Sequence, residues 1–199
     1  MPQSPVIWPA PGNRTTPFHF MRTGSQLEVE DRMHKIKSKA GTYCILFRSQ
    51  KKRRTRIGRW VYLYIEPGYY LYVGSAFGPG GILSRVLRHC RKSKAKHWHM
   101  DYLQEFVTPV MAWHSYDPVR LEHCWARGLL KMSELNPING FGCSDCQCQA
   151  HLLYTPTKPA SPRVSSALAG RIGTCIYKSS LITRSECVGP GRLRIGYRE

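Results

Sequence analysis

Acidic residues are scarce in this chain: 12 Asp and Glu stand against 30 Lys and Arg in 199 residues, a formal charge of +18. An excess of that size goes beyond what solubility requires and points to a polyanion as partner, DNA first, with RNA left open. The competing reading is a basic chain whose charge only prevents self-association, or one that rides on a ribosome without chemistry of its own. Long apolar runs are also missing. The first 37 residues hold Pro2, Pro5, Pro9, Pro11 and Pro17 and the Phe18-His19-Phe20 triplet without a continuous apolar stretch, so neither an export signal nor a membrane anchor is expected and the cytoplasm is the predicted compartment. No internal repeat is visible. Cysteine is not scarce, with 8 residues, but 42% hydrophobic residues suffice for an ordinary core. Reduced thiols are therefore expected rather than the disulfide framework of a secreted mini-protein.

By texture the chain divides into an irregular leader over 1–37, a domain over 38–155 and a low-order basic tail over 156–199. The leader has one acidic stretch, Gln26 to Met33, that reads as a short helix. The tail is broken by Pro156, Pro159 and Pro162, with Ala167 to Tyr177 as one weak element. Within the domain, Thr42 to Phe47, about Gly58 to Ile65 and Tyr69 to Val73 read as strands, with Ser49 to Arg56 as a polar turn and Pro67-Gly68 as a tight one. Leu83, Val86, Leu87 and Cys90 form a helical apolar stripe, which places Arg85, Arg88, His89 and Lys92 opposite. Trp98 to Phe106 reads as a second helix and Val110 to His114 as a further short strand. Asp117-Pro118 reads as the N-cap and first position of a third helix that carries Glu122 beside the stripe Leu121, Trp125, Leu129 and Met132. The predicted class is α/β (α+β), a small three-stranded, mainly antiparallel sheet flanked by helices, with irregular extensions at both ends.

Gly41-Thr42-Tyr43 opens one strand, Tyr72-Val73-Gly74 closes another, Arg85 and His89 lie on the helix that follows, and Glu122 lies on a later one. Two tyrosines, an arginine, a histidine and a carboxylate are the parts needed to cut a phosphodiester. Their order and spacing resemble the motif set of the GIY-YIG endonuclease superfamily. The run from Gly68 to Gly81, the His97 to Leu103 segment and Gly140 to Cys146 through His151-Leu152 resemble one prokaryotic branch of it, the domain of unknown function 123 branch. Its members stand alone or are fused to base-excision DNA glycosylases. The resemblance covers Gly41 to Tyr154.

What it implies is single-metal phosphodiester hydrolysis. Tyr43 would accept or orient the proton of the attacking water, and Tyr72 would position that water or a phosphate oxygen. Arg85 would hold the negative charge that develops on phosphorus, His89 would make another phosphate or water contact, and Glu122 would bind one Mg²⁺ or Mn²⁺. The implied function is metal-dependent endonucleolytic cleavage of DNA, in repair or in processing of branched or damaged DNA. The alternative is a non-catalytic nucleic-acid-binding module on the same fold. The superfamily also has an asparagine near its last strand. Here Asn136 and Asn139 fall in a loop, and Ser144 and Asp145 are candidates to replace it.

Read without the family, the carboxylates of the domain are few: Glu66, Asp101, Glu105, Asp117, Glu122, Glu134 and Asp145. Glu122 then competes with the role of a solvated helix residue paired to an arginine, and Tyr43 and Tyr72 with ordinary cross-strand packing. Lys51, Lys52, Arg53, Arg54, Arg56 and Arg59 form one basic segment, and Arg91, Lys92, Lys94 and Lys96 a second after the first helix, whose Arg88 is a further candidate for binding nucleic acid. Both suit phosphates, or else merely shield a sheet edge. Trp60, Tyr62, Tyr69, Tyr70 and Trp98 offer rings for stacking unpaired bases, or belong to the core. Cys143, Cys146, Cys148 and His151 make a C-x2-C-x-C-x2-H pattern of soft ligands that suits Zn²⁺, as in a zinc-stabilised structural or partner-docking protein; the alternatives are a site completed by His97 or His99, or a packed loop of buried thiols. Cys44, Cys90 and Cys124 fit apolar faces.

Overall fold

A computed structural model describes residues 36–57, 61–91, 96, 98–170 and 175–181. The leader, with its Gln26 to Met33 stretch, and residues 182–199 lie outside the described residues, apart from Ile36, which is buried, and Lys37.

Thr42–Ser49 (β1) is apolar on both faces, and all but one of its residues are buried, as a central strand requires. It pairs antiparallel on one side with Gly68–Ser75 (β4) and on the other with Val107–Ser115 (β5). Between β1 and β4 in sequence, Arg53–Ile57 (β2) and Val61–Ile65 (β3) form a separate two-stranded hairpin. The predicted polar turn over Ser49 to Arg56 is thus largely a strand. Its outward positions are basic, and its inward residues Ile57, Leu63 and Ile65 join the core. Gly58, Arg59 and Trp60 lie outside the described residues. Asn136–Pro137 (β6), Leu152–Thr155 (β7) and Tyr177–Ser180 (β8) complete a six-stranded antiparallel sheet in the order β6-β7-β4-β1-β5-β8. Six strands replace the three expected: β3 leaves the main sheet for the hairpin, β5 joins it beside β1, and the edge strands β6, β7 and β8 are too short for an alternation to show.

Alternate residues of β1 serve two cores. Tyr43, Ile45 and Phe47 pack with Ile82 and Val86 of helix Gly81–Cys90 (α1) and with Met100 and Leu103 of helix His99–Leu103 (α2). Cys44 and Leu46 pack on the other face with Trp125 and Leu129 of helix Glu122–Leu129 (α3) and with Val164 and Leu168 of helix Ser161–Leu168 (α4). The result is a mixed α/β architecture with four helices among the described residues.

Four further expectations are corrected by the structure. The buried stripe of α1 is Ile82, Val86 and His89, so His89 faces the core while Leu83, Leu87 and Cys90 are only partly covered. Asp117 does not cap α3, since its Oδ1 accepts the Val119 N–H at 2.9 Å in a tight turn and the helix starts at Glu122. The region after Thr155 is not a loose tail as far as Leu181. Its helix α4 covers Trp113, whose Nε1–H donates to Ser165 Oγ at 3.0 Å, and β8 extends the sheet on β5. Ala167 to Tyr177 is not one element, because α4 ends at Leu168 and β8 begins at Tyr177. Among the described residues no helix is long and apolar enough to cross a membrane.

Candidate active site

A cleft of about 370 Å³ opens at the ends of β1 and β4, and its walls include Tyr43, Tyr72, Arg85 and Glu122. Four residues far apart in sequence therefore face one space.

The strand register explains the tyrosines. Tyr43 lies opposite Gly74, and a Cβ at Gly74 would stand 2.6 Å from the Tyr43 hydroxyl. Glycine at the end of the Tyr72-Val73-Gly74 triplet is thus what lets the Tyr43 ring lie across β4 toward the cleft. At the start of α1, Gly80 and Gly81 both have positive φ, and the Ile82 N–H donates to Lys39 O at 2.9 Å. The helix is anchored there, and this fixes where Arg85 and His89 point.

His89 is 2% exposed and sits among Tyr43, Phe47 and Tyr72, with ring centroids 5.6 to 6.2 Å away. Its Nε2 is 2.9 Å from the Tyr43 hydroxyl, and its Nδ1 is 2.5 Å from Gln104 Nε2 at the end of α2. His89 is thus a buried partner of Tyr43 and does not line the cleft. Burial above all, then the neighbouring Tyr72, pushes the Tyr43 hydroxyl well above the usual phenol range. Burial and then Glu122 raise Tyr72 likewise. Both are neutral phenols at neutral pH.

Arg85 stacks its guanidinium 4.3 Å over the Trp98 ring, which turns it along the cleft wall. Glu122 is placed by β1: the Leu121 N–H, just before α3, donates to Thr42 Oγ1 at 3.0 Å. Burial pushes the Glu122 carboxyl up, but hydrogen bonds from His151 and Ser75 and the charges of His151 and His123 outweigh it and hold the carboxyl below its ordinary range. His151 Nδ1 lies 3.0 Å from Glu122 Oε1. Ser144 and Asp145 also reach the cleft, whereas Asn136 is on the edge strand β6 and Asn139 accepts from Gln149 at 3.1 Å.

The basic residues divide. Arg88 turns inward, donating to the buried Asp101 at 2.6 Å, where the same carboxylate also accepts the Trp98 N–H. Lys52 and Lys96 make exposed ion pairs with Glu66 and Glu105. Such exposed pairs exchange readily for phosphate. Lys51, Arg53 and Arg54 are exposed on and beside β2, with Arg54 3.9 Å over Tyr62. Tyr62 and Tyr64 are exposed, while Tyr70 is buried and bonds through its hydroxyl to the Glu66 backbone. Lys92 and Lys94 lie outside the described residues.

Beside the cleft, Cys143, Cys146 and His151 form one group whose ligand atoms lie within 4.8 Å of one another, and Cys146, Cys148 and His123 form a second. These groups can hold a metal ion. Burial and then the proximity of Cys146 push the Cys143 thiol up to about 12. His99 is engaged elsewhere, accepting the Gly142 N–H at 3.3 Å, and His97 lies outside the described residues.

Ser75, Gln104, Arg120 and His123 are site residues that no sequence pattern marked, and Thr42 stood out only as the middle of its triplet. Arg120 and His123 flank the cleft-lining Glu122 closely enough in sequence to have been suspected. Thr42, Ser75 and Gln104 act through contacts that only the fold creates.

An antiparallel sheet between two helical layers, with a tyrosine, arginine and glutamate cleft at the end of its central strands, is the class of domain these residues define. A profile of the family described as a domain of unknown function, DUF123, matches residues 42–172, and the chain belongs to that family. No curated protein and no solved structure matches it.

Proposed function

We propose that the domain is a divalent-metal-dependent endonuclease of GIY-YIG type that hydrolyses phosphodiester bonds in DNA. The observation that carries this reading is the meeting of Tyr43, Tyr72, Arg85 and Glu122 in one cleft. The donor set there fits a hard cation. Glu122 gives Oε1 to His151 and faces the cleft, and Asp145 and Ser144 stand on the same walls. One carboxylate, a second acid and water suit Mg²⁺ or Mn²⁺, whereas the softer Cys–His cluster suits Zn²⁺. When bound, such an ion supplies charge neutralisation at the phosphate and a more acidic water.

The chain's own residues account for the rest. Tyr43 is held neutral, so it takes a proton from an attacking water only by releasing its own to His89 Nε2, 2.9 Å away. That transfer needs the proton of the neutral imidazole on Nδ1. Gln104 Oε1 is buried and without a partner among the described residues, and turning the amide by half a rotation presents it to Nδ1 and frees Nε2 to accept. Tyr72 donates to water or to a phosphate oxygen. Arg85, stiffened by Trp98, offers its planar fork to the charge that develops.

DNA with unpaired or branched segments is the substrate class. This is supported by Tyr62 and Tyr64, exposed on a hairpin on the same side of the sheet as Tyr43. The test is cleavage of labelled duplex, single-stranded and branched DNA, with an RNA control, by the wild type and Glu122→Gln in Mg²⁺, Mn²⁺ or EDTA. Cleavage by the wild type only, abolished by EDTA, is expected. Salt-sensitive binding without cleavage by either protein would replace the reading with the non-catalytic binding module.

A further inference from the structure

Residues 138–151, between β6 and β7, carry no helix or strand, yet they bring three thiols and an imidazole together. Long irregular loops inside compact domains are uncommon and call for something that holds them. Backbone bonds cinch this one at both ends, Gly140 N–H to Gln149 O at 2.8 Å and His151 N–H to Phe141 O at 2.9 Å. In its middle Cys143 and Cys148 both stand beside Cys146, the Cys143 thiol donates to Phe141 O at 3.5 Å, and Cys146 Sγ lies 3.5 Å from His151 Nε2.

We infer that Cys143, Cys146, Cys148 and His151 hold one structural Zn²⁺, and that His151 bridges this ion to Glu122. The orientation of His151 carries the inference. Its Nδ1 lies 3.0 Å from Glu122 Oε1 and donates to it, which leaves the lone pair on Nε2, and Nε2 is directed at Cys146 Sγ, 3.5 Å away. Two ligands on a tetrahedral zinc, with Zn–S about 2.3 Å and Zn–N about 2.0 Å, stand about 3.5 Å apart. The spacing is that of two neighbours on one ion. Binding displaces the three thiol protons to solvent and uses the Nε2 lone pair of His151 as the fourth ligand. A carboxylate that accepts the second ring N–H of a zinc-bound histidine is a recurrent arrangement that fixes the ring and strengthens the ligand. Here that carboxylate is also the one lining the cleft.

His123 is a fifth donor, grouped with Cys146 and Cys148, with its ring 5.6 Å from that of His151. It is exposed, and no hydrogen bond orients its ring among the described residues, whereas His151 is 2% exposed and pinned by Glu122. The ordered imidazole loses less freedom on ligation and takes the fourth position. The consequence for catalysis rests on the nuclease reading. The zinc site does not.

The test uses the full chain, purified without chelator, and needs no cleavage assay. Metal analysis is expected to give one zinc per chain. Alkylation followed by mass spectrometry should find Cys143, Cys146 and Cys148 protected until a strong chelator is added, while exposed Cys175 reacts throughout. Cys146→Ser and His151→Asn should lose the zinc and His123→Ala should keep it. Glu122→Gln should keep it with an affinity weakened about 10- to 100-fold in competition with a chromophoric chelator. Protein that holds no zinc after expression in zinc-rich medium, with thiols equally reactive with and without chelator, would overturn the site. Zinc lost from His123→Ala but kept by His151→Asn, or unchanged zinc affinity in Glu122→Gln, would overturn the bridge. Because the alkylation compares wild-type protein with itself, a variant that fails to fold does not blunt the result. An inactive protein that nonetheless binds zinc would separate the failure of the nuclease reading from this one.

Discussion

Gly74 shows how much one residue can decide. A methyl group there would stand 2.6 Å from the Tyr43 hydroxyl and 2.7 Å from its ring carbon, distances that no side chain tolerates without moving. The backbone of β4 is held by β1 on one side and β7 on the other, so Tyr43 must yield. Gly74→Ala is therefore expected to cost roughly 1–3 kcal/mol of stability, as overpacking does. Displacing Tyr43 by about 1 Å should also lower single-turnover cleavage by about 100-fold, with DNA affinity unchanged. Wild-type cleavage in a folded Gly74→Ala protein would show that the position of Tyr43 is irrelevant to the chemistry. The glycine was legible in the sequence as part of a triplet, but its reason was not, because that reason is a ring on the neighbouring strand. Thr42 is similar: its hydroxyl accepts the N–H that precedes Glu122, a contact between residues that no periodicity relates.

At the scale of elements, the β2–β3 hairpin stands apart from the main sheet. Its inward residues reach the core beside α2, and its outward face alternates Arg54, Arg56, Tyr62 and Tyr64, with Arg54 over the Tyr62 ring. The composition of this segment was readable as basic and aromatic. Its being a hairpin was not, because Arg and Lys on a strand look like a turn until Ile57, Leu63 and Ile65 are seen to face the other way. Two kinds of contact should separate by mutation. Tyr62→Ala with Tyr64→Ala is expected to weaken binding of single-stranded or branched DNA by about 1–3 kcal/mol for each base that stacks, with duplex affinity nearly unchanged. Lys51→Ala with Arg53→Ala should weaken all substrates alike and reduce the slope of log affinity against log salt by about one per lost phosphate contact. Fluorescence anisotropy across a salt series measures both. Equal effects of the two pairs on duplex and single strands would deny the hairpin any part in reading unpaired bases.

For the molecule as a whole, the sheet ends at one edge in its last strand, and that strand covers a titratable group. β8 pairs with β5 so that Tyr177 lies opposite His114, and the two rings stack at 5.5 Å while Tyr116 packs against the edge. His114 is fully buried, and neither ring nitrogen has a hydrogen-bond partner among the described residues. Burial lowers its pKa from 6.5 to about 4, so the docked strand holds a neutral imidazole. In an opened state the ring meets water and titrates near its ordinary value. The contribution of this group to stability is therefore complete above about pH 6.5, declines as the pH falls, and is exhausted near pH 4, where both states are protonated. Allowing for partial solvent screening, the loss is roughly 2 kcal/mol. It should fall first on the strand that does the covering, because β8 is short and lies at the edge. Hydrogen exchange corrected for intrinsic rates is expected to show residues 177–181 losing protection between pH 7 and pH 5 while β1 keeps its own. His114→Phe, which fills the same space without titrating, should abolish that difference. Equal loss of protection in His114→Phe would place the acid sensitivity elsewhere, and uniform loss over β1 and β8 would mean that the sheet opens as one unit rather than from this edge.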